Sequence, residues 1–264
     1  MKYTIFGCIT KYGVEQIKPF IESIERSGFK GDKVMLVYDI TQDTIDYLKS
    51  KGWILFGSEL QQHIILQRFR DVYSLLQTYE TDVIIWCDVK DIIFQNDPSK
   101  WLDKNMKKDI LSFAESVRFK DEAWARVNAG TTFPMEWEWL QHEEIYCAGT
   151  IVAKKEALRD LFISIYRWSL QTNNSEQLAD QAAYNILIHL HQFKDKVQFV
   201  KQQEGFACQL HLKYNFKTPE LCTEKFANVD EEGWVTNDVG EMYSIVHQYD
   251  RNPQLKELIE SRYR

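Results

Sequence analysis

Apolar residues recur with two periods along the first hundred positions. Tyr3–Ile9 is a short β-prone run, and Val14 to Ser27 then places Ile17, Phe20, Ile21 and Ile24 at helical spacing. Gly28 and Gly31 follow, where a helix C-cap is expected. The alternation continues with a strand at Lys33–Tyr38, a helix at Gln42–Lys51 and a strand at Trp53–Phe56. A helix from Arg68 to Thr78 leads into a buried strand at Asp82–Cys87. This β-α-β-α-β-α-β order predicts an α/β fold with a mostly parallel sheet and helices on both faces. The rest of the chain is less regular. Strands are predicted at Ile110–Ala114, Ile145–Ala153, Val197–Val200 and Ser244–His247, and helices at Lys155–Thr172, Asp180–His191 and after Pro253. No Ser/Gly/Pro-rich linker and no internal repeat divides the sequence. Residues 1–264 are therefore read as one domain, with a regular half over about 1–100 and a mixed half over about 101–264.

Composition narrows this picture. The 264 residues are 44% hydrophobic, enough for one substantial core. A net charge of −7 without a basic tract argues against a nucleic-acid partner. The aromatic share suits stacking on sugars, and suits ordinary core packing equally well. Cys8, Cys87, Cys147, Cys208 and Cys222 are widely spaced and include no C-x-x-C pair, which argues against a disulfide framework or structural zinc. They are expected to be small buried residues in a reducing compartment. The opening segment is too short in apolar residues for a signal peptide, and no run approaches a membrane span, so a cytoplasmic location is expected. The mixed-charge segment Pro253–Arg264 leaves peripheral membrane contact open.

Candidate chemistry concentrates after the fourth strand. In open parallel α/β sheets, ligands bind outside the carboxyl ends of the strands. Val83 to Cys87 delivers Asp88 to that edge, and Asp91 follows a turn later. Two such acids can share a hard divalent cation, which neutralises a diphosphate; the competing reading is a helix-capping Asp88 with a solvated Lys90. His189 and His191, two apart on one helix, face different directions and cannot chelate together. The sequence contains no G-x-S-x-G, Walker or G-x-G-x-x-G motif to support hydrolase, kinase-like or dinucleotide readings.

The run from Asp82 to Pro98, DVIIWCDVKDIIFQNDP, resembles the strand-DxRDxxFQxDP signature of a group of GT-A-fold glycosyltransferases. Seven further segments are similar to that group in the same order: Tyr3–Tyr12, Arg68-Phe69, Glu115, Asn128-Ala129-Gly130, Cys147–Thr150, Asp180–Asn185 (DQAAYN) and Val246–Arg251 (VHQYDR). Lys90 stands where the group has Arg, and the acids are spaced D-x-x-D rather than the commoner D-x-D.

The resemblance implies a Rossmann-like GT-A fold, a nucleotide-sugar half followed by an acceptor half, and a metal site closed from the C-terminus. Asp91 is then the first metal ligand, Asp88 is shared between metal and the nucleotide ribose, and His247 is the third ligand. Thr10 and Tyr12 line the base pocket, or form a simple turn before a helix. Arg68 reaches base or diphosphate, and Lys90 neutralises a phosphate. Asp180 and Gln181 approach the transferred sugar, although an Asp at a helix start is also a good cap. Glu115 touches sugar or acceptor, while Asn128 and Gly149 shape the sugar pocket. The expected activity is Mn²⁺- or Mg²⁺-dependent transfer from a nucleoside diphosphate sugar, UDP-sugar favoured, to a glycan or other hydroxyl acceptor, with a lean towards retention. The alternatives are a sugar nucleotidyltransferase and a non-catalytic sugar- or nucleotide-binding module.

Overall fold

The structure, a computed structural model, describes residues 1–171, 179–210 and 227–263; Thr172, Cys222 and Arg264 lie outside the described residues. The first half runs β1 (Tyr3–Thr10), α1 (Val14–Ser27), β2 (Asp32–Tyr38), α2 (Gln42–Ser50), β3 (Ile54–Gly57), α3 (Ile64–Leu75) and β4 (Val83–Cys87), as its pattern predicts. A short β5 (Ile92–Phe94) and α4 (Pro98–Asn105) follow, then β6 (Ile110–Arg118), α5 (Ala123–Thr132), α6 (Pro134–Leu140), β7 (Glu144–Lys154), α7 (Lys155–Ser169) and α8 (Asp180–His189). The chain continues through β8 (Val197–Val200), β9 (Ala207–Gln209), β10 (Asn228–Val229), β11 (Val235–Thr236), β12 (Ile245–His247) and α9 (Pro253–Ser261).

Seven strands form the main sheet in the order β3-β2-β1-β4-β7-β6-β8. Only β7 runs antiparallel to its neighbours β4 and β6; every other pairing in this sheet is parallel. The α/β reading is therefore correct, and the architecture is compatible with a Rossmann-like fold. Strands of such a sheet are buried on both faces and read as continuous apolar runs. On β4, Ile84 and Trp86 face the layer of α3, α7 and α8, while Val83, Ile85 and Cys87 face the layer containing α1. One apolar cluster draws on Phe69, Trp86, Phe162 and Tyr184, so α3 of the first half and α7 of the second share a core.

Differences from the sequence reading sit at boundaries and in short elements. α3 begins at Ile64, one residue after His63, whose ring nitrogen accepts from the Ile65 amide; the predicted start at Arg68 misses this histidine cap. β6 continues four residues past Ala114 to Arg118, and its pairing with β7 shifts register twice between Ser112 and Arg118. β5, α4, α5, α6, β9, β10 and β11 lie outside the elements the pattern predicts. β5 and β9 are three residues each, too short to display a period, and they form a second sheet in the order β5-β12-β9.

α9 turns Leu255 and Ile259 into a small cluster with Tyr243 and Tyr249, so its apolar face packs inward. Among the described residues, no helix is long and apolar enough to cross a membrane. Cys87, Cys147 and Cys208 are buried and Cys8 partly so, all four as free thiols.

Candidate metal centre and its cavity

The strand order reverses direction between β1 and β4: from β1 the chain crosses to β2 on one side, and from β3 it returns to β4 on the other. Such a switch point leaves a crevice at the carboxyl ends of the two strands. Thr10 ends β1 there, and Asp88 follows β4. The Asp88 amide donates to the Gly149 carbonyl at 2.8 Å, extending the β4–β7 ladder by one residue and fixing where the carboxylate starts.

Asp91 and His247 arrive together through the second sheet. β12 pairs antiparallel with β5, setting His247 opposite Ile92, and the Gln248 amide donates to the Asp91 carbonyl at 2.9 Å. His247 Nε2 then lies 3.4 Å from Asp91 Oδ1 and 4.0 Å from Asp88 Oδ2. One ligand atom from each of the three residues falls within 4.8 Å of the others. Two ligands bound at about 2.1 Å to one ion sit at most about 4.2 Å apart, so both imidazole–carboxylate separations fit a shared divalent cation. Gly149 makes the space. A Cβ there would lie 2.6 Å from Asp88 Oδ2 and 2.8 Å from His247 Cε1.

Charge and tautomer agree with that reading. Nδ1 of His247 lies 2.7 Å from Gln209 Oε1, an acceptor, which places the proton on Nδ1 and turns the Nε2 lone pair towards the acids. With the ring neutral, Nε2 and the two carboxylates offer three acceptors to one cation; with the ring protonated, Nε2–H faces Asp91 at 3.4 Å in its place. Burial opposes ionisation of His247, but Asp91, Asp88 and Glu115 outweigh it and raise its pKa above the ordinary imidazole value. Burial would likewise push Asp91 up, yet His247 and then Arg251 hold it below the usual carboxylate range.

Arg68 organises the other side. Its guanidinium donates to Asp88 Oδ1 at 2.6 Å and to Asp180 Oδ2 at 3.0 Å, and lies over the rings of Phe69 and Trp86. Asp180 opens α8 with Ala179 as N-cap, so it is a first-turn residue rather than the cap, where a negative charge suits the helix dipole. Burial raises its pKa, against the pull of Arg68.

A cavity of about 310 Å³ adjoins the acids, lined by Thr10, Tyr12, Arg68, Lys90 and Arg251 among others. Thr10 Oγ1 is buried without a hydrogen-bond partner among the described residues. Burial, then Asp88 and Asp91, raise the Tyr12 phenol above its ordinary pKa.

Of the residues singled out from sequence, Thr10, Tyr12, Arg68, Asp88, Lys90 and Asp91 line this one cavity, and His247 faces its acids. Lys90 Nζ is 3.6 Å from Asp250, a partner the sequence did not suggest. Asp180 joins through Arg68 rather than by lining the space. Gln181 turns to β7, where its Oε1 accepts from the Ala148 amide at 3.4 Å. Glu115 is buried behind the acids near His247 and Cys147, and burial lifts its carboxyl to about 7 against the attraction of His247. Asn128 is buried on α5 and does not line the cavity.

Sequence reasoning missed Arg251, 3.6 Å from Asp91 Oδ2, and Gln209. Arg251 stands four residues after His247 and was open to the same attention. Gln209 carries no sequence signal; it pairs with His247 only through the β9–β12 register. Three non-glycine residues with left-handed backbone flank the described groups: Lys11 (φ 57°), Ser116 (φ 58°) and Gln248 (φ 60°). Strain of this kind concentrates at functional sites. Compared with known proteins, the chain matches no protein-family model and, at the level of significance, no curated protein, so the case for function stands on this geometry.

Proposed function

We propose that the protein is a metal-dependent glycosyltransferase that moves a sugar from a nucleoside diphosphate sugar, a UDP-sugar by preference, to a glycan or other hydroxyl acceptor. The observation that carries this reading is the convergence of Asp88, Asp91 and His247 at the switch point of a largely parallel sheet, beside a polar cavity. Asp88, Asp91 and His247 would hold a divalent cation such as Mn²⁺ or Mg²⁺, which would supply charge to neutralise a diphosphate and stabilise a departing nucleoside diphosphate. Arg68 holds Asp88 in place, and Gln209 holds the His247 ring. Lys90 and Arg251 bring positive charge to the cavity mouth, suited to phosphate oxygens. Thr10 Oγ1 has hydrogen-bonding capacity to spare for the nucleoside. Asp180, bonded to Arg68, is assigned to the hydroxyls of the transferred sugar, while Gln181 and Glu115 sit behind the site against Ala148 and His247. No carboxylate stands out as an inverting base, and a C-terminal histidine closing the metal site resembles retaining enzymes, so retention of the anomeric configuration is expected.

The test is a panel of UDP-, GDP- and CDP-sugars with and without Mn²⁺, scored for donor hydrolysis. The expected result is Mn²⁺-dependent release of UDP, reduced about 100-fold or more in Asp91→Asn, the loss of a few kcal/mol of transition-state stabilisation. Full metal-dependent turnover in that variant refutes the metal assignment. Release of pyrophosphate from a nucleoside triphosphate and a sugar phosphate favours a nucleotidyltransferase, and binding without turnover favours a binding module.

A further inference from the structure

A second, larger cavity of about 1030 Å³ opens on the same sheet edge, beyond Glu115, where β6 leaves its regular pairing with β7. Ser116, in left-handed conformation, turns the strand there, and its Oγ accepts from Gln202 Nε2 at 3.1 Å.

The floor of this cavity is aromatic. Phe199 is 37% exposed, stacks on the His189 ring at 4.9 Å with planes 12° apart, and lies 4.7 Å from the Tyr146 ring. The walls are charged and unbalanced. Glu144 pairs with Lys201, while Glu143 faces His189 Nδ1 at 3.4 Å, a ring that burial holds towards its neutral form. Arg118, Lys120 and Arg126 also line the space, with no side-chain ion pair among the described residues, against the lining acids Asp121 and Glu143. A protein of net charge −7 therefore lines this cavity with four Lys or Arg side chains against three acids, a local excess of positive charge. An aromatic face packs against the C–H face of a pyranose, and guanidinium forks take a carboxylate or phosphate in paired charge-assisted hydrogen bonds.

We propose that this cavity binds an anionic saccharide, a sugar carrying a carboxylate or phosphate group, with its ring on Phe199 and its charge on Arg118 and Arg126. The ligand is the acceptor if the glycosyltransferase reading holds, and that one word rests on it. α8 connects the two sites: Asp180, bonded to Arg68, and His189, beneath Phe199, are nine residues apart, about 14 Å along the helix. That separation suits an extended acceptor whose anionic unit is anchored away from the reacting hydroxyl.

Calorimetry on the full chain tests this with three probes: cellobiouronic acid, cellobiose phosphorylated at C6 of its non-reducing unit, and neutral cellobiose. At least one anionic disaccharide is expected to bind about tenfold tighter than cellobiose or better, the yield of one charge-assisted hydrogen bond. The preference should fade in about 0.5 M salt. The carboxylate and phosphate arms identify which anion is taken. The double variant Arg118→Gln/Arg126→Gln changes two exposed side chains; it should melt as the parent does and lose the preference, while Phe199→Ala should weaken all three probes. Equal binding of neutral and anionic probes, binding of none, or a preference that survives the double variant overturns the proposal. Acceptor-independent UDP release with Mn²⁺ reports the donor site alone, so failure of the donor reading appears in a different assay.

Discussion

Replacing Gly149 with alanine sets two physical effects against each other at the centre of the proposed metal site. Glycine inside a strand ordinarily costs stability through backbone freedom, so alanine there would be worth roughly 0.5–1 kcal/mol. Gly149 has no left-handed φ that would forbid the change. Its surroundings forbid it instead: the added Cβ would stand 2.6 Å from Asp88 Oδ2 and 2.8 Å from His247 Cε1, against 3.4 Å or more for ordinary contact. Neither neighbour is a free chain end. Asp88 is tied to Arg68 at 2.6 Å, and the His247 ring is 2% exposed and bonded to Gln209. Relief requires shifting a ligand by roughly 0.6 Å, several times the ~0.2 Å tolerance of a metal–ligand distance.

Gly149→Ala should therefore destabilise the fold by about 1–3 kcal/mol, the usual cost of overpacking. It should also weaken Mn²⁺ binding by about 10- to 100-fold, as for a disturbed supporting shell. Urea unfolding reads the first effect, and Mn²⁺ titration by electron paramagnetic resonance reads the second. Gly57→Ala on β3 is the control, because a Cβ there meets nothing within 4 Å. It should be neutral or slightly stabilising with Mn²⁺ affinity unchanged. Parental Mn²⁺ affinity in Gly149→Ala would refute the packing argument and the ligand set built on it.

Two further outcomes follow from the polar groups. Arg68→Met keeps an apolar stem but leaves Asp180 buried without its cation, so the fold should lose about 3 kcal/mol in urea unfolding; a loss under about 0.5 kcal/mol would mean the pair contributes little. Asp71 accepts hydrogen bonds from Tyr38, Ser58, Gln67 and Arg70 at 2.9–3.0 Å, and although burial pushes its pKa up, these donors hold it below the ordinary 3.8. A depressed folded-state pKa contributes stability that is present above the unfolded value and lost as pH falls through the folded one. The stability gap between the parent and Asp71→Asn should thus be constant from about pH 7 to about pH 5 and shrink below about pH 4. A gap that widens towards acid contradicts the assignment.

The regular half of the fold was legible because its signals are local. Strands buried on both faces carry unbroken apolar runs, amphipathic helices carry a 3.6-residue period, and both survive in a one-dimensional reading of Tyr3–Cys87. β5 and β9, three residues each, are held by partners distant in the chain and have no period to display. Asp88 and Asp91 were legible for a related reason, since a carboxylate directly after a buried strand must emerge at the sheet edge. The antiparallel course of β7 was not, because strand direction depends on which neighbour a segment finds.

Position along the chain also nominated His247, through its motif, without saying where the ring would lie. Only the pairing of β12 with β5 and β9 sets that ring between Asp91 and Gln209, and only the bare Gly149 backbone lets Asp88 approach from the other sheet. Sequence by itself determined the layers and the candidate acids, through burial and period. Tertiary structure decided the site, because a shared cation depends on sub-ångström placement of side chains that long-range strand register alone brings together.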